Sequence, residues 1–121
     1  MSVTLPQGVE TPVPLIDETI ALRNIAQAQA LFDARGVALR PHIKTHKLVR
    51  FAKAQLAAGA KGITCQKTTE AEVFVEGGCD DILITFDILG EAKTARLRRL
   101  AERARLSVVA DNEVVVAGLS K

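Results

Sequence analysis

Four short apolar runs recur along the chain, each suited to a strand and each followed by a helix-forming stretch. They end at Lys44, Cys65, Thr85 and Asp111, 20 to 26 residues apart. This alternation permits few folds, because strands joined through helices lie parallel and their crossovers are right-handed. An α/β architecture is therefore expected. The compact period suits a (β/α) barrel, but a closed barrel needs eight units and roughly 250 residues. About four units in 121 residues leave two readings, a small open sheet or the first half of a (β/α)8 barrel. Val114 to Leu119 has only one or two helical turns before Lys121, which would make it a weakly anchored tail in a finished domain. The truncated half-barrel is the favoured expectation.

Local chemistry places the elements. Residues 1–12, with Pro6 and Gly8, are expected to be a flexible segment, and 13–121 the folded, partial barrel domain. Val13 to Asp17 reads as a short preceding strand, with Asp17 capping a helix that runs to about Arg35. Ala21, Ile25, Ala28 and Phe32 share one face of that helix, and Gly36 supplies the left-handed residue that ends it. Leu39 to Ile43 is the next strand, Leu48 to Ala58 a helix stopped by Gly59, and Gly62 to Cys65 a further strand. Thr69 and Glu72 have capping-box spacing and open a helix ending at Gly77-Gly78, before the strand Asp81 to Thr85. Glu91 to Arg105 is expected as a helix with Leu97, Leu100, Ala101 and Ala104 buried. Ser107 to Asp111 follows as a strand, and Asp111 or Asn112 caps a last helix.

Composition excludes several function classes. Lys and Arg exceed Asp and Glu by 16 to 14, and Trp and Tyr are absent, so neither a cationic surface nor stacking aromatics are provided for nucleic acid. The arginines between Arg96 and Arg105 alternate with the apolar stripe and read as a solvated helix face. Cys65 and Cys79 are too far apart for a CxxC motif and are expected as reduced thiols. The N-terminal residues lack a signal-peptide pattern, and no apolar run approaches the roughly eighteen residues of a transmembrane helix. A cytoplasmic protein without a membrane or nucleic-acid partner is expected.

The chemistry-bearing residues cluster at strand ends. Side chains alternate along a strand, so Leu39, Pro41 and Ile43 share one face while Arg40, His42 and Lys44 share the other. In a barrel the second set would enter the lumen, where unpaired cationic groups cost several kcal/mol unless paired or bound to an anion, on the order expected for buried charge. Gln66 and Lys67, Thr85 and Asp87, and Asp111 and Asn112 stand where the later strands finish, at the rim where α/β folds build sites. A lysine amine in such a water-poor, cationic lumen is activated toward an aldehyde, which is Schiff-base chemistry. The alternative is a structural pairing of Lys44 with an acid such as Asp111. His42 and His46 have i,i+4 spacing, but Pro41 puts the first on a strand and the second in a loop, so no metal site is expected. Lys47 and Lys53 read as surface lysines.

Pro41-His42-Ile43-Lys44-Thr45-His46-Lys47 resembles the PHxKTHK signature of the D-threonine aldolase and D-serine dehydratase family. Thr11-Pro12, the Leu15-Ile16-Asp17 run, Gly62 to Lys67, Glu70-Ala71-Glu72 and Asp80 to Ile84 follow in that family's order, so the resemblance covers residues 11 to 119. It implies the N-terminal portion of an alanine-racemase-like (β/α)8 barrel, with 39–43 as first barrel strand and 13–17 set beside a second, β-rich domain. It also implies that Lys44 carries pyridoxal 5′-phosphate (PLP) as a Schiff base. Arg40, His42 and Gln66 would then be cofactor-side residues. The implied activity is cleavage or deamination of a D-β-hydroxy amino acid, with a divalent metal whose ligands, like the main phosphate-binding loops, lie in later parts of the family and are absent here. The resemblance allows a homodimer for the full-length enzyme. A racemase or PLP carrier on the same barrel, or an inactive truncated product, are the competing readings.

Overall fold

The computed structural model describes residues 4–121. The first three residues of the expected flexible segment 1–12 lie outside the described ones. Five helices and three strands follow in the order α1 (Glu18–Asp33), α2 (Val49–Ala58), β1 (Ile63–Cys65), α3 (Thr68–Glu76), β2 (Asp81–Ile84), α4 (Glu91–Ala101), β3 (Arg105–Val108) and α5 (Glu113–Leu119). The strands form one parallel sheet in the order β1-β2-β3, with Ile63 beside Ile82 and Ile82 beside Leu106. No helix among the described residues is long and apolar enough to cross a membrane.

The helix boundaries follow the expected chemistry. Asp17 caps α1, its Oδ1 accepting the Ile20 N–H at 3.0 Å, and Asn112 caps α5 by accepting the Val115 N–H at 3.0 Å. Gly36 and Gly59 take the left-handed φ values of 63° and 120° that let the chain leave α1 and α2. On the buried face of α1, however, Gln29 replaces the expected Ala28, which is exposed. Gln29 donates to Asp33 Oδ1 at 2.8 Å.

Three expected elements differ. Val13 to Asp17 has no strand partner among the described residues, and Leu15 and Ile16 are 56% and 53% exposed. An isolated extended segment satisfies no ladder hydrogen bonds, so apolar content alone does not make it a strand. The strand Leu39 to Ile43 is reduced to one parallel bridge, His42 with Thr64. Ile43 donates to the Thr64 carbonyl at 2.9 Å and Thr64 to the Pro41 carbonyl at 2.8 Å. Pro41 has no N–H to continue the ladder toward Gly62, and Lys61 instead donates to Leu39 at 2.9 Å. Finally, α4 stops at Ala101 and Arg105 opens β3, because the Arg105 N–H is taken by the Asp80 carbonyl at 2.7 Å.

The core lies between the sheet and the helices. Ile43, Ile63, Cys65, Ile82 and Ile84 turn toward Ala52, Ala71, Phe74, Val75, Leu97 and Leu100. Phe74 and the four isoleucines are at most 1% exposed, and each contributes roughly 1.5–3 kcal/mol by leaving water. This packing fixes the register of the sheet, since a slip of one residue would turn the isoleucines away from the helices. It thereby fixes the opposite row, which carries Thr64, Leu83 and Ser107 and runs to the strand ends.

Candidate functional site

Lys44 does not lie on a strand. The chain turns over Ile43 to His46, closed by the Lys47 N–H on the Ile43 carbonyl at 2.8 Å, and Lys44 stands exposed on this turn where the parallel segments end. Its expected low-dielectric lumen is therefore not formed by the described residues. Nor is it paired with Asp111. That carboxylate accepts from Asn112 Nδ2 at 2.5 Å, and the Lys44 ammonium makes no ion pair among the described residues.

His42 shapes the turn beside it. Its Nδ1 accepts the Lys44 N–H at 3.2 Å, which leaves the proton on Nε2, 3.4 Å from Thr85 Oγ1. Thr85 passes its own O–H toward the Cys65 carbonyl at 3.5 Å. Burial and then the charge of Lys44 hold the His42 imidazole below its ordinary pKa, against a smaller opposing influence of Glu70 and Gln66. His42 is thus a neutral neighbour of Lys44 at pH 7, and its ring is aimed by main-chain and hydroxyl contacts. The half-buried Gln66 stands close enough to His42 to favour its charged form.

His46 repeats the device one turn on. Its Nδ1 accepts the Leu48 N–H at 3.0 Å, and its ring meets Phe51 edge to face, with centroids 5.8 Å apart at 82°. Burial lowers its pKa, partly opposed by Gln55. Both Nδ1 atoms are thus engaged by main chain, and among the described residues no group of three or more His, Cys, Asp or Glu side chains is placed to hold a metal ion.

Arg40 is separated from this group. Its guanidinium lies at the opposite end of the strands, 2.8 Å from the Asp81 carboxylate and 3.2 Å from the Asp81 carbonyl. It shares the side of the strand with His42, as alternation requires, but an ion pair at the first residue of β2 occupies it. The structure brings His42, Lys44, Gln66 and Thr85 together and leaves Arg40 out.

Two further acidic features accompany the site. Glu70, 8% exposed, receives Lys47 Nζ at 2.5 Å on Oε1 and the Gln66 N–H at 2.8 Å on Oε2. Burial alone would raise its pKa, but the bonds from Lys47 and the Gln66 N–H outweigh this and hold it below the usual carboxylate value. Lys47 is consequently no idle surface lysine. The expected capping pair is also replaced: Glu70 reaches back to the N-terminal turn, while Glu72 meets Arg96 Nε at 3.3 Å. The signal for Glu70 was an acid in the first turn of a helix, four residues after a strand-end glutamine. At the ends of β2 and β3, Asp87 is raised above its ordinary pKa by burial and then by the hydrogen bond and charge of the facing Asp111.

The site is thus an exposed lysine, unpaired among the described residues, on a turn where the segments of a parallel α/β unit end. No family model matches the sequence. The chain is 46% identical over 104 residues to a D-threonine aldolase of Arthrobacter sp, covering 86% of this chain and 27% of that protein. It is 52% identical over 75 residues to the D-threo-3-hydroxyaspartate dehydratase of Delftia sp. (strain HT23), covering 62% of this chain and 20% of that one. The crystal structure of D-threonine aldolase from Filomicrobium marinum superposes with a TM-score of 0.89 at 38% identity, over 93% of this chain and 30% of the other. The chain spans less than a third of the length of each of these proteins. By sequence and by fold, it belongs to the D-threonine aldolase and D-3-hydroxyaspartate dehydratase family, matching the N-terminal part.

Proposed function

We propose that this chain supplies the cofactor-bearing part of a PLP-dependent lyase for D-β-hydroxy amino acids, with Lys44 as the residue that holds the cofactor. Its three strand-helix units, with the bridged segment 39–43 and α2 before them, would belong to the first half of an alanine-racemase-like barrel, in a protein working in the cytoplasm. The observation that carries the reading is the Lys44 ammonium, unpaired at the strand ends beside a neutral His42, inside a stretch matched over most of its length by these lyases.

The residues present suit the cofactor on its aldehyde side. Lys44 offers a primary amine with no competing acid, and His42 holds its proton on Nε2 toward Thr85. PLP, when bound, supplies an electron sink for bonds at the substrate α-carbon. The chain's own part is to fix the amine, keep a neutral imidazole beside it, and present Gln66 from the neighbouring rim. Arg40 is assigned instead to the base of the sheet. The divalent metal of the family and its ligands are assigned to parts outside this chain, as is turnover of D-threonine or 3-hydroxyaspartate.

The test is to treat the chain with PLP and borohydride and map the fixed adduct by peptide mass spectrometry. Label at Lys44, lost in Lys44→Ala, supports the assignment. Undiminished label in that variant would contradict it.

A further inference from the structure

Glu70 is a buried acid that the proposed chemistry does not touch, yet both of its oxygens are engaged by the segments that carry Lys44 and Gln66. Oε1 takes the Lys47 ammonium at 2.5 Å, and Oε2 takes the Gln66 N–H at 2.8 Å. Lys47 closes the Lys44 turn through its N–H on Ile43, and it does so with φ 52°, a left-handed conformation unfavourable for a residue with a side chain. A lysine with nothing to hold would gain by relaxing or by being a glycine. The bond to Glu70 offsets the backbone cost, because charge-assisted hydrogen bonds to a buried carboxylate are among the stronger ones.

We infer that Glu70 is a positioning residue, tying the Lys44 turn to the junction of β1 and α3 so that the Lys44 amine and the Gln66 side chain keep one relative placement. The inference rests on the reading of Lys44 as the cofactor lysine. Glu70 acts through Lys47 and the Gln66 main chain, at a different residue from the reacting amine. A bridge that only added stability could have been placed anywhere on the surface. This one joins the two loops that the proposed site needs in register, and its carboxylate is 8% exposed while the lysine side chain is 57% exposed.

The experiment uses the whole 121-residue chain, excess PLP and borohydride, and reads the label at Lys44 relative to Lys53 and Lys61 on the same molecule. Glu70→Gln and Lys47→Met are each expected to lower that ratio on the order of tenfold, the effect of losing one charge-assisted bond. Lys47→Arg, which keeps the charge and reach, should restore most of it. Folded variants that keep the wild-type ratio would overturn the inference. Should Glu70→Gln fail to fold, the exposed Lys47→Met carries the comparison. If the wild-type chain takes no label at Lys44, the proposed function fails, and amide exchange then decides the tie separately. Faster exchange at Gln66 and Lys47 in Lys47→Met upholds it, and unchanged exchange sinks it.

Discussion

The Arg40 guanidinium crosses the space left open by Gly62 to reach Asp81, so that one ion pair spans the bases of three parallel segments. A Cβ on residue 62 would stand 2.2 Å from Arg40 Nη1 and 2.5 Å from the Asp81 carbonyl oxygen. Gly62→Ala is therefore expected to expel the guanidinium and destabilise the chain by roughly 1–3 kcal/mol, the usual range for overpacking. Arg40→Met should cost about 1–2 kcal/mol, since the pair is only partly shielded from water. Urea midpoints of the two variants check this, and midpoints equal to wild type would show the pair to be idle.

Lys44→Ala should leave stability within about 0.5 kcal/mol of wild type, because the side chain is exposed and unpaired. The same variant should lose the dominant PLP adduct and keep only the background label at lysines such as Lys53 and Lys61. A residue needed for folding would behave the other way round, so thermal melting and adduct mapping on one preparation separate the two roles.

Acid should weaken the fold beginning near neutral pH. His42 and His46 both have folded pKa values below the ordinary 6.5, so the neutral forms are favoured in the folded chain. Their contribution is present in full above about 6.5 and is lost as the pH falls toward the folded values, because unfolded imidazoles take up protons first. Glu70, also lowered, adds a loss of the same sign but in the range below its ordinary 4.5. Between pH 7.5 and 5.5, roughly the histidine window, the urea midpoint should decline, and His42→Gln together with His46→Gln should flatten the slope. A flat wild-type profile would remove the imidazole turns from the account.

The two thiols should be silent in the native chain. Burial, with smaller influences from Glu70 and Cys79, pushes Cys65 up to about 12, and its side chain is inaccessible. Cys79 is 2% exposed and also raised by burial. Thiolate is the reactive form, so alkylation at neutral pH should proceed only through unfolding. Rapid modification without denaturant, followed by mass spectrometry, would show that β1, for Cys65, or the α3–β2 junction, for Cys79, opens readily.

Much of this was legible in the sequence because local chemistry settled it. Asp17 and Asn112 cap because their side chains reach amides three residues on, and Gly36 and Gly59 stop helices because a Cβ would disfavour their φ. The missed features depend on distant partners. Pro41 looks compatible with a strand until the ladder shows that its absent N–H is wanted at Gly62. Arg105 carries no helix-stopping signal; the Asp80 carbonyl, 25 residues away (105 − 80), decides its state. Arg40 has the right parity for the site and the wrong height, which only the position of Asp81 reveals. Lys47 reads as any exposed lysine, since Glu70 lies 23 residues further on.

The left-handed backbone at Lys47 bears on how this loop could be redesigned. Choosing residue 47 by torsional preference alone would return glycine or asparagine, and either would make the turn easier to form. Neither can span to Glu70. Optimising the segment for conformational ease would thus yield a sounder turn around Lys44 that has lost its tie to Glu70, and the lysine at 47 marks where the chain accepts local discomfort in exchange for long-range order.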